Sequence, residues 1–305
     1  MPGFQFSFLL PRYWGTWMMF FVLWLIHWLP RKMVMRLGAW LGDQMRKRNH
    51  KRRKIVITNL LMCFPELSDE ERHRMMVNHY RVFGAMLMDM GTIWWASPRR
   101  LEQIVQCADP EKYRSLTENK RVILVSPHIM GLEASGIAVS RNSPMVVTMK
   151  PQKNDLLTLK MHRSRTRFND SLILMRENGL RHLISGIKAG YVVCYLPDED
   201  FGEAKYTTFA PFFGVQTSTL TTLGRLCRLG KAKAVPCMTR LDIETGIYTF
   251  EFAEPMENLS SSSPEQSAVL MNRGLEAMVR LAPEQYMWTF KWFKTRPENQ
   301  SSPYD

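Results

Sequence analysis

From Val122 onward the chain alternates short, β-branched apolar runs with helical stretches, and this alternation limits its possible folds more than any other feature. The runs are Val122–Ser126, Met145–Met149, Leu172–Met175, Tyr191–Leu196 and Ala234–Thr239, and Ile247–Phe252 adds one with period-two alternation. Helical patterns at Gly131–Ala138, Asn154–Phe168, Gly179–Ala189 and Ser218–Leu229 separate most of them. Strands alternating with helices predict an α/β fold, a mostly parallel sheet flanked by helices. Ser260 to Pro264 reads as a short loop, and a further helix is expected from Glu265 to about Leu281. No internal repeat is present.

The segment before the sheet is different in kind. Tyr13 to Leu29 carries no Lys, Arg, Asp or Glu, and as a helix it spans roughly 25 Å, a little short of the ~30 Å hydrocarbon core of a bilayer. Trp14, Trp17, Trp24 and Trp28 give it the interfacial character of a membrane anchor. With only Arg12 ahead of it and no small-residue cleavage site, it is a poor signal peptide. Between Arg31 and Lys54, ten cations face the lone Asp43, which is +9 of the chain's net +13. Such a cluster beside an apolar helix predicts attraction to anionic lipid and keeps the body that follows in the cytoplasm. The first segment can span or lie in the interface; nucleic acid is not the expected partner of the basic cluster. Helices are expected over about Met33 to Leu61 and Asp69 to Ala96, broken at Pro65, with Ser68 and Glu71 forming a capping box. The organisation expected is an anchor over residues 1–30 and one domain over 31–305, helical and membrane-proximal to residue 97 and α/β beyond it.

The motif content excludes several chemistries. Cys63, Cys107, Cys194, Cys227 and Cys237 are scattered and odd in number, which argues against a disulfide scaffold or a thiolate zinc site and for a reducing compartment. There is no G-x-S-x-G, no G-x-G-x-x-G and no phosphate-loop lysine. No metal and no cofactor are expected.

His128 and Glu133 are the candidate catalytic residues. The strand at Val122–Ser126 delivers His128 at its carboxyl end, where ligands sit in open α/β sheets, and a helix follows at once. Five residues apart on one helix would point about 140° apart, so the pair is expected to meet with His128 in the loop and Glu133 in the first turns. The carboxylate would then fix the ring tautomer and free the other nitrogen to take a proton. Asp198 and Asp200 arrive at the same sheet edge after the strand at Tyr191–Leu196 and are expected to orient Arg165 or sugar hydroxyls. Phe83, Met86, Met88 and Met90, and the run Ala210–Val215, are candidate walls of an apolar slot.

The turn Pro127-His-Ile-Met-Gly-Leu-Glu133, the run Tyr195-Leu-Pro-Asp-Glu-Asp-Phe-Gly202, the tail Pro283-Glu-Gln-Tyr-Met-Trp-Thr-Phe-Lys-Trp-Phe-Lys-Thr-Arg296 and the basic N-terminal region together resemble the late acyltransferases of lipid A biosynthesis. The resemblance runs from the anchor to Arg296 and looks closest to the member adding the last, usually myristoyl, chain. These enzymes sit within the glycerolipid acyltransferase superfamily, marked by His followed by Asp or Glu, here Glu133. The resemblance implies a glycerolipid-acyltransferase-like fold. It also implies transfer of a myristoyl or lauroyl chain from acyl carrier protein to a 3-hydroxyacyl hydroxyl on Kdo-substituted lipid A precursor, at the cytoplasmic face of the inner membrane. Arg165, within the alternating Arg163, Arg165 and Arg167, best matches the family's substrate-binding arginine. Two alternatives stay open: another glycerolipid or glycolipid acyltransferase of the same superfamily, and a non-enzymatic membrane-tethered binding protein.

Overall fold

The computed structural model describes residues 3–118, 120–175 and 179–305. Four helices come first: α1 (Trp14–Ile26), α2 (Arg31–Arg48), α3 (His50–Cys63) and α4 (Asp69–Trp95). The helix expected over Met33–Leu61 is thus two, because Asn49 leaves helical geometry and its side chain accepts from the Arg52 N–H to start α3. The capping box of Ser68 and Glu71 forms as expected.

After α5 (Pro98–Ile104), β1 (Val105–Cys107) and α6 (Pro110–Thr117) the alternation begins. It runs β2 (Val122–Val125), α7 (Leu132–Ser140), β3 (Met145–Met149), α8 (Asp155–Arg165), β4 (Leu172–Met175), α9 (Gly179–Lys188) and β5 (Val192–Tyr195). A hairpin of β6 (Thr207–Phe212) and β7 (Val215–Leu220) precedes α10 (Thr222–Gly230), β8 (Lys233–Asp242), β9 (Ile247–Phe252) and α11 (Pro264–Leu281). The sheet order is β1-β9-β8-β2-β5-β3-β4, parallel throughout except between β8 and β9. The α/β expectation therefore holds. The elements not read from the sequence include the short α5, β1 and α6, too brief for periodicity to register, and the hairpin, whose second strand takes Ser218–Leu220 from the helix expected to start there.

Apolar residues of the central strands divide between two cores. Leu124, Val147, Cys194 and Cys237 face one side, together with α7 and the N-terminal helices. Ile123, Val146, Val193 and Met238 face the other, with α10 and α11. Being buried on both faces, β2 reads as an unbroken apolar run.

For the anchor expected over residues 1–30, whether spanning or interfacial, the helix that forms is short. α1 has 13 residues, about 20 Å of helix, and no described helix is long and apolar enough to cross a membrane. Instead α1 lays Phe20 and Leu23 against the body, and at Gly91 of α4 a side chain would collide with the Leu23 carbonyl. Its other faces stay bare, with Trp14 and Met18 63% and 64% exposed, and so do Phe6 ahead of it, Trp28 after it and Trp40 of α2. Two of the ten clustered cations are also structural. Arg31 pairs with fully buried Asp89 and donates to the Gly246 carbonyl, tying α2 to α4 and to the turn between β8 and β9. Arg52 donates to the Thr289 carbonyl at 2.8 Å.

Candidate active site

β2 and β5 are neighbouring parallel strands with Val125 opposite Tyr195. Both runs continue past the strand as a residue, a proline and a chemically active side chain: Ser126-Pro127-His128 on one, Leu196-Pro197-Asp198 on the other. The pairing offset persists beyond the ladder, with the Ser126 N–H donating to the Tyr195 carbonyl at 3.0 Å, and it sets His128 beside Asp198. Asp198 Oδ1 accepts from His128 Nδ1 at 2.5 Å, and Oδ2 accepts from the His128 backbone N–H at 2.7 Å.

This corrects the expected pairing. Glu133 does not hold His128; it is turned to Arg165 at the end of α8. Arg165 Nε lies 3.2 and 3.4 Å from the two Glu133 oxygens, and Nη2 completes a forked pair. Arg165 is therefore neutralised by Glu133, not oriented by Asp198 or Asp200. Asp200 serves the backbone, accepting from the N–H groups of Gly202 at 2.9 Å and Thr295 at 2.6 Å. Of the flanking arginines, Arg167 donates to the carbonyls of Ile93, Trp94 and Ala96 and so caps the end of α4.

Sequence reasoning passed over Glu199, whose Oε1 lies 3.4 Å from His128 Nε2. It also gave no role to the aromatics of the C-terminal segment, where the rings of Phe290 and Trp292 sit 6.2 and 5.9 Å from the imidazole. Burial depresses the His128 pKa, but Asp198 and then Glu199 outweigh it and lift it to about 10. Glu133, opposing the same effect of burial, raises that of Arg165. With the proton of Nδ1 held by Asp198, Nε2, which Glu199 faces across 3.4 Å, is the nitrogen that can exchange a proton with substrate.

His128 and Arg165 open on a cavity of 560 Å³, a size usual for ligand sites. Its apolar part runs between the sheet and α7, lined by Leu132, Gly136, Val139, Met145, Cys194 and Phe250. A β-carbon at Gly136 would stand 3.7 Å from the Met145 methyl, an ordinary contact, so a small side chain fits there and only a longer one would compete for the space that Gly136 lines. The walls expected at Phe83, Met86, Met88 and Met90 lie elsewhere, packed in the core around α4, and Phe212 and Phe213 are buried in the opposite core. At the rim, Lys150 and Gln152 belong to a loop whose Asn154 donates to Thr16 of α1 at 2.6 Å. The bare apolar helix therefore stands beside the cavity mouth.

Residues 1–295 match the family model for bacterial lipid A biosynthesis acyltransferases. The chain is 34% identical to the lipid A biosynthesis lauroyltransferase of Escherichia coli K12, over all of this chain and 99% of that protein. It is 36% identical to that organism's lipid A biosynthesis palmitoleoyltransferase over 99% of both chains. To its myristoyltransferase the figure is 29%, over 99% of this chain and 94% of the other. The match is not weighted toward the myristoyl member.

Proposed function

This chain belongs to the bacterial lipid A biosynthesis acyltransferase family and is an acyltransferase, and from that premise we propose that it moves a fatty acyl chain from acyl carrier protein to a 3-hydroxyacyl hydroxyl of Kdo-substituted lipid A precursor. The observation that carries this reading is a histidine–aspartate pair at the mouth of a deep apolar cavity. Membership of the family sets aside the non-enzymatic alternative.

In this mechanism His128 Nε2 takes the proton of the acceptor hydroxyl while Asp198 holds the ring through Nδ1. The oxygen attacks the thioester carbonyl, and the first backbone N–H groups of α7 are the donors for the tetrahedral oxyanion. Collapse breaks the carbon–sulfur bond, the ester forms, and the proton on Nε2 passes to the departing thiolate. No covalent acyl-enzyme is needed. Arg165 binds substrate phosphate, of the lipid or of the carrier's phosphopantetheine, through its Nη1 side, while Glu133 holds the guanidinium by Nε and Nη2. Asp200, which the sequence suggested as a substrate ligand, holds its loop through the N–H groups of Gly202 and Thr295.

The apolar surface of α1 and the free cations of α2 and α3 suit insertion into one leaflet of an anionic inner membrane from its cytoplasmic face, with no span. The lipid acceptor then reaches His128 from the rim beside α1.

One experiment tests both parts. The purified protein, given acyl carriers of graded chain length and acceptor embedded in anionic vesicles, is expected to sediment with the vesicles and to add one acyl chain per acceptor by mass spectrometry. His128→Ala should keep the sedimentation and lose the transfer. Transfer at the parental rate by that variant would end the catalytic assignment, and a soluble wild-type protein would end the leaflet assignment.

The same assay reads the slot. Gly136→Leu fills the passage opposite Met145, and each methylene denied burial is worth about 0.8 kcal/mol, so preference should move toward shorter chains by roughly tenfold or more. An unchanged chain-length profile would place the acyl tail outside this cavity.

A further inference from the structure

Tyr286, inside the tail that resembled the family, has no part in the mechanism above, yet its side chain is fully buried against the catalytic pair. Its hydroxyl donates to Asp198 Oδ2 at 2.9 Å, giving that carboxylate a third donor beside the two from His128. The backbone around it is laced to the His128 loop: the Met130 N–H donates to the Gln285 carbonyl at 2.9 Å and the Met287 N–H to the His128 carbonyl at 3.0 Å. Gln285 is itself pinned to both backbone groups of Leu241 in β8 at 2.8 Å. The Tyr286 ring stacks on Trp292 at 4.8 Å, and Trp292 in turn lies against His128. The phenol therefore has one rotamer and one acceptor.

We propose that Tyr286 is a positioning residue for acyl transfer, fixing the Asp198 carboxylate so that one oxygen stays aimed at His128 Nδ1. This rests on the reading of His128 as the base. A carboxylate with only the two His128 contacts is free to rock about its own bond, whereas the phenol supplies a fixed point outside the loop that the base occupies. The hydroxyl also draws charge from Asp198, which limits how strongly Asp198 holds the imidazolium. The titratable groups facing this cluster are Asp198 and Glu199 from the end of β5, Cys63 of α3, His79 of α4 and Tyr304 of the C-terminal tail. Burial, then Asp198, keep the phenol protonated well past its ordinary range, so it donates across the whole pH span of an assay.

Tyr286→Phe in the full-length protein keeps the ring packing and removes the donor. The expected result is a fall in kcat of roughly 10- to 100-fold, the worth of one hydrogen bond to a charged group, with KM unchanged. The limb of kcat/KM at low pH should move to higher pH, because an Asp198 with one donor fewer is more basic and holds the imidazolium more firmly. Tyr286→3-fluorotyrosine, a stronger donor of nearly the same shape, should move that limb the other way. Parental kcat and an unmoved limb in both variants would overturn the proposal. So would a limb that shifts in the same direction in both. Asp198→Asn run alongside separates the levels: if it abolishes transfer while the Tyr286 variants do not, only the role of Tyr286 falls; if it too is silent, the histidine–aspartate reading falls with it.

Discussion

Asp198→Asn is expected to lower acyl transfer by roughly 10²–10⁴-fold, the usual worth of a positioned general base. The loss follows from donor counting. Asp198 Oδ2 accepts from the His128 N–H and from Tyr286, and Oδ1 accepts from His128 Nδ1. An asparagine has one acceptor oxygen, and it settles where two donors converge. Its NH₂ group then faces Nδ1, forces the proton onto Nε2, and leaves the ring in the tautomer that cannot accept from a hydroxyl. The pH profile gives a second readout. A base works only when neutral, and His128 has a raised pKa, so kcat/KM of the parent should climb with pH through a limb above the ordinary histidine range. Removing the Asp198 charge leaves burial, which depresses the pKa, opposed by Glu199 alone. The limb of the residual activity should therefore move to lower pH. An Asp198→Asn enzyme with the parental rate and limb would show that the aspartate is not part of the chemistry.

Glu133→Ala should be felt first in stability. The Glu133 and Arg165 side chains are 13% and 19% exposed, and removing one partner leaves a guanidinium in a site where burial already disfavours its charge. Breaking such a pair costs about 3 kcal/mol, taken at the low end because both groups touch solvent, or roughly 5 °C in Tm for a chain of this length. The double variant Glu133→Ala/Arg165→Met should recover most of that loss, since no uncompensated charge remains. It should still transfer poorly, with a raised KM, because the guanidinium proposed to hold phosphate is gone. Thermal unfolding and initial rates on the three variants give the cycle. A Glu133→Ala protein as stable as the parent would mean that Arg165 finds another partner, and a double variant with normal KM would remove Arg165 from substrate binding.

Local patterns carried much of this molecule. Run length located β2, β3, β5 and β8, because a strand largely buried on both faces is apolar along most of its length, and it also found the edge strand β4, while period-two alternation located β9. Ser68 and Glu71 fixed the start of α4, since both halves of a capping box lie within four residues. The position of His128 at a strand end was legible for the same reason. Its partner was not. Glu133 is near in sequence and had the right chemistry, whereas Asp198 becomes adjacent only if β5 lies next to β2, and seven strands can be ordered in many ways. One signal was available: both runs end in the same strand–residue–proline step before His128 and Asp198, so any parallel, in-register pairing of the two would have joined them.

The sequence by itself determined the fold class, the family, the place of His128 at a strand end and the apolar, basic character of the N-terminal region, because each is written in residue types at short spacing. Only the tertiary structure decided that Asp198 rather than Glu133 holds the ring, that Glu133 neutralises Arg165, and that α1 lies against α4 with its tryptophans bare. Those outcomes depend on which strands neighbour each other and which helix faces are already occupied. A hydrogen bond reaches about 3 Å, so its partner is chosen by the packing of whole elements and not by distance along the chain.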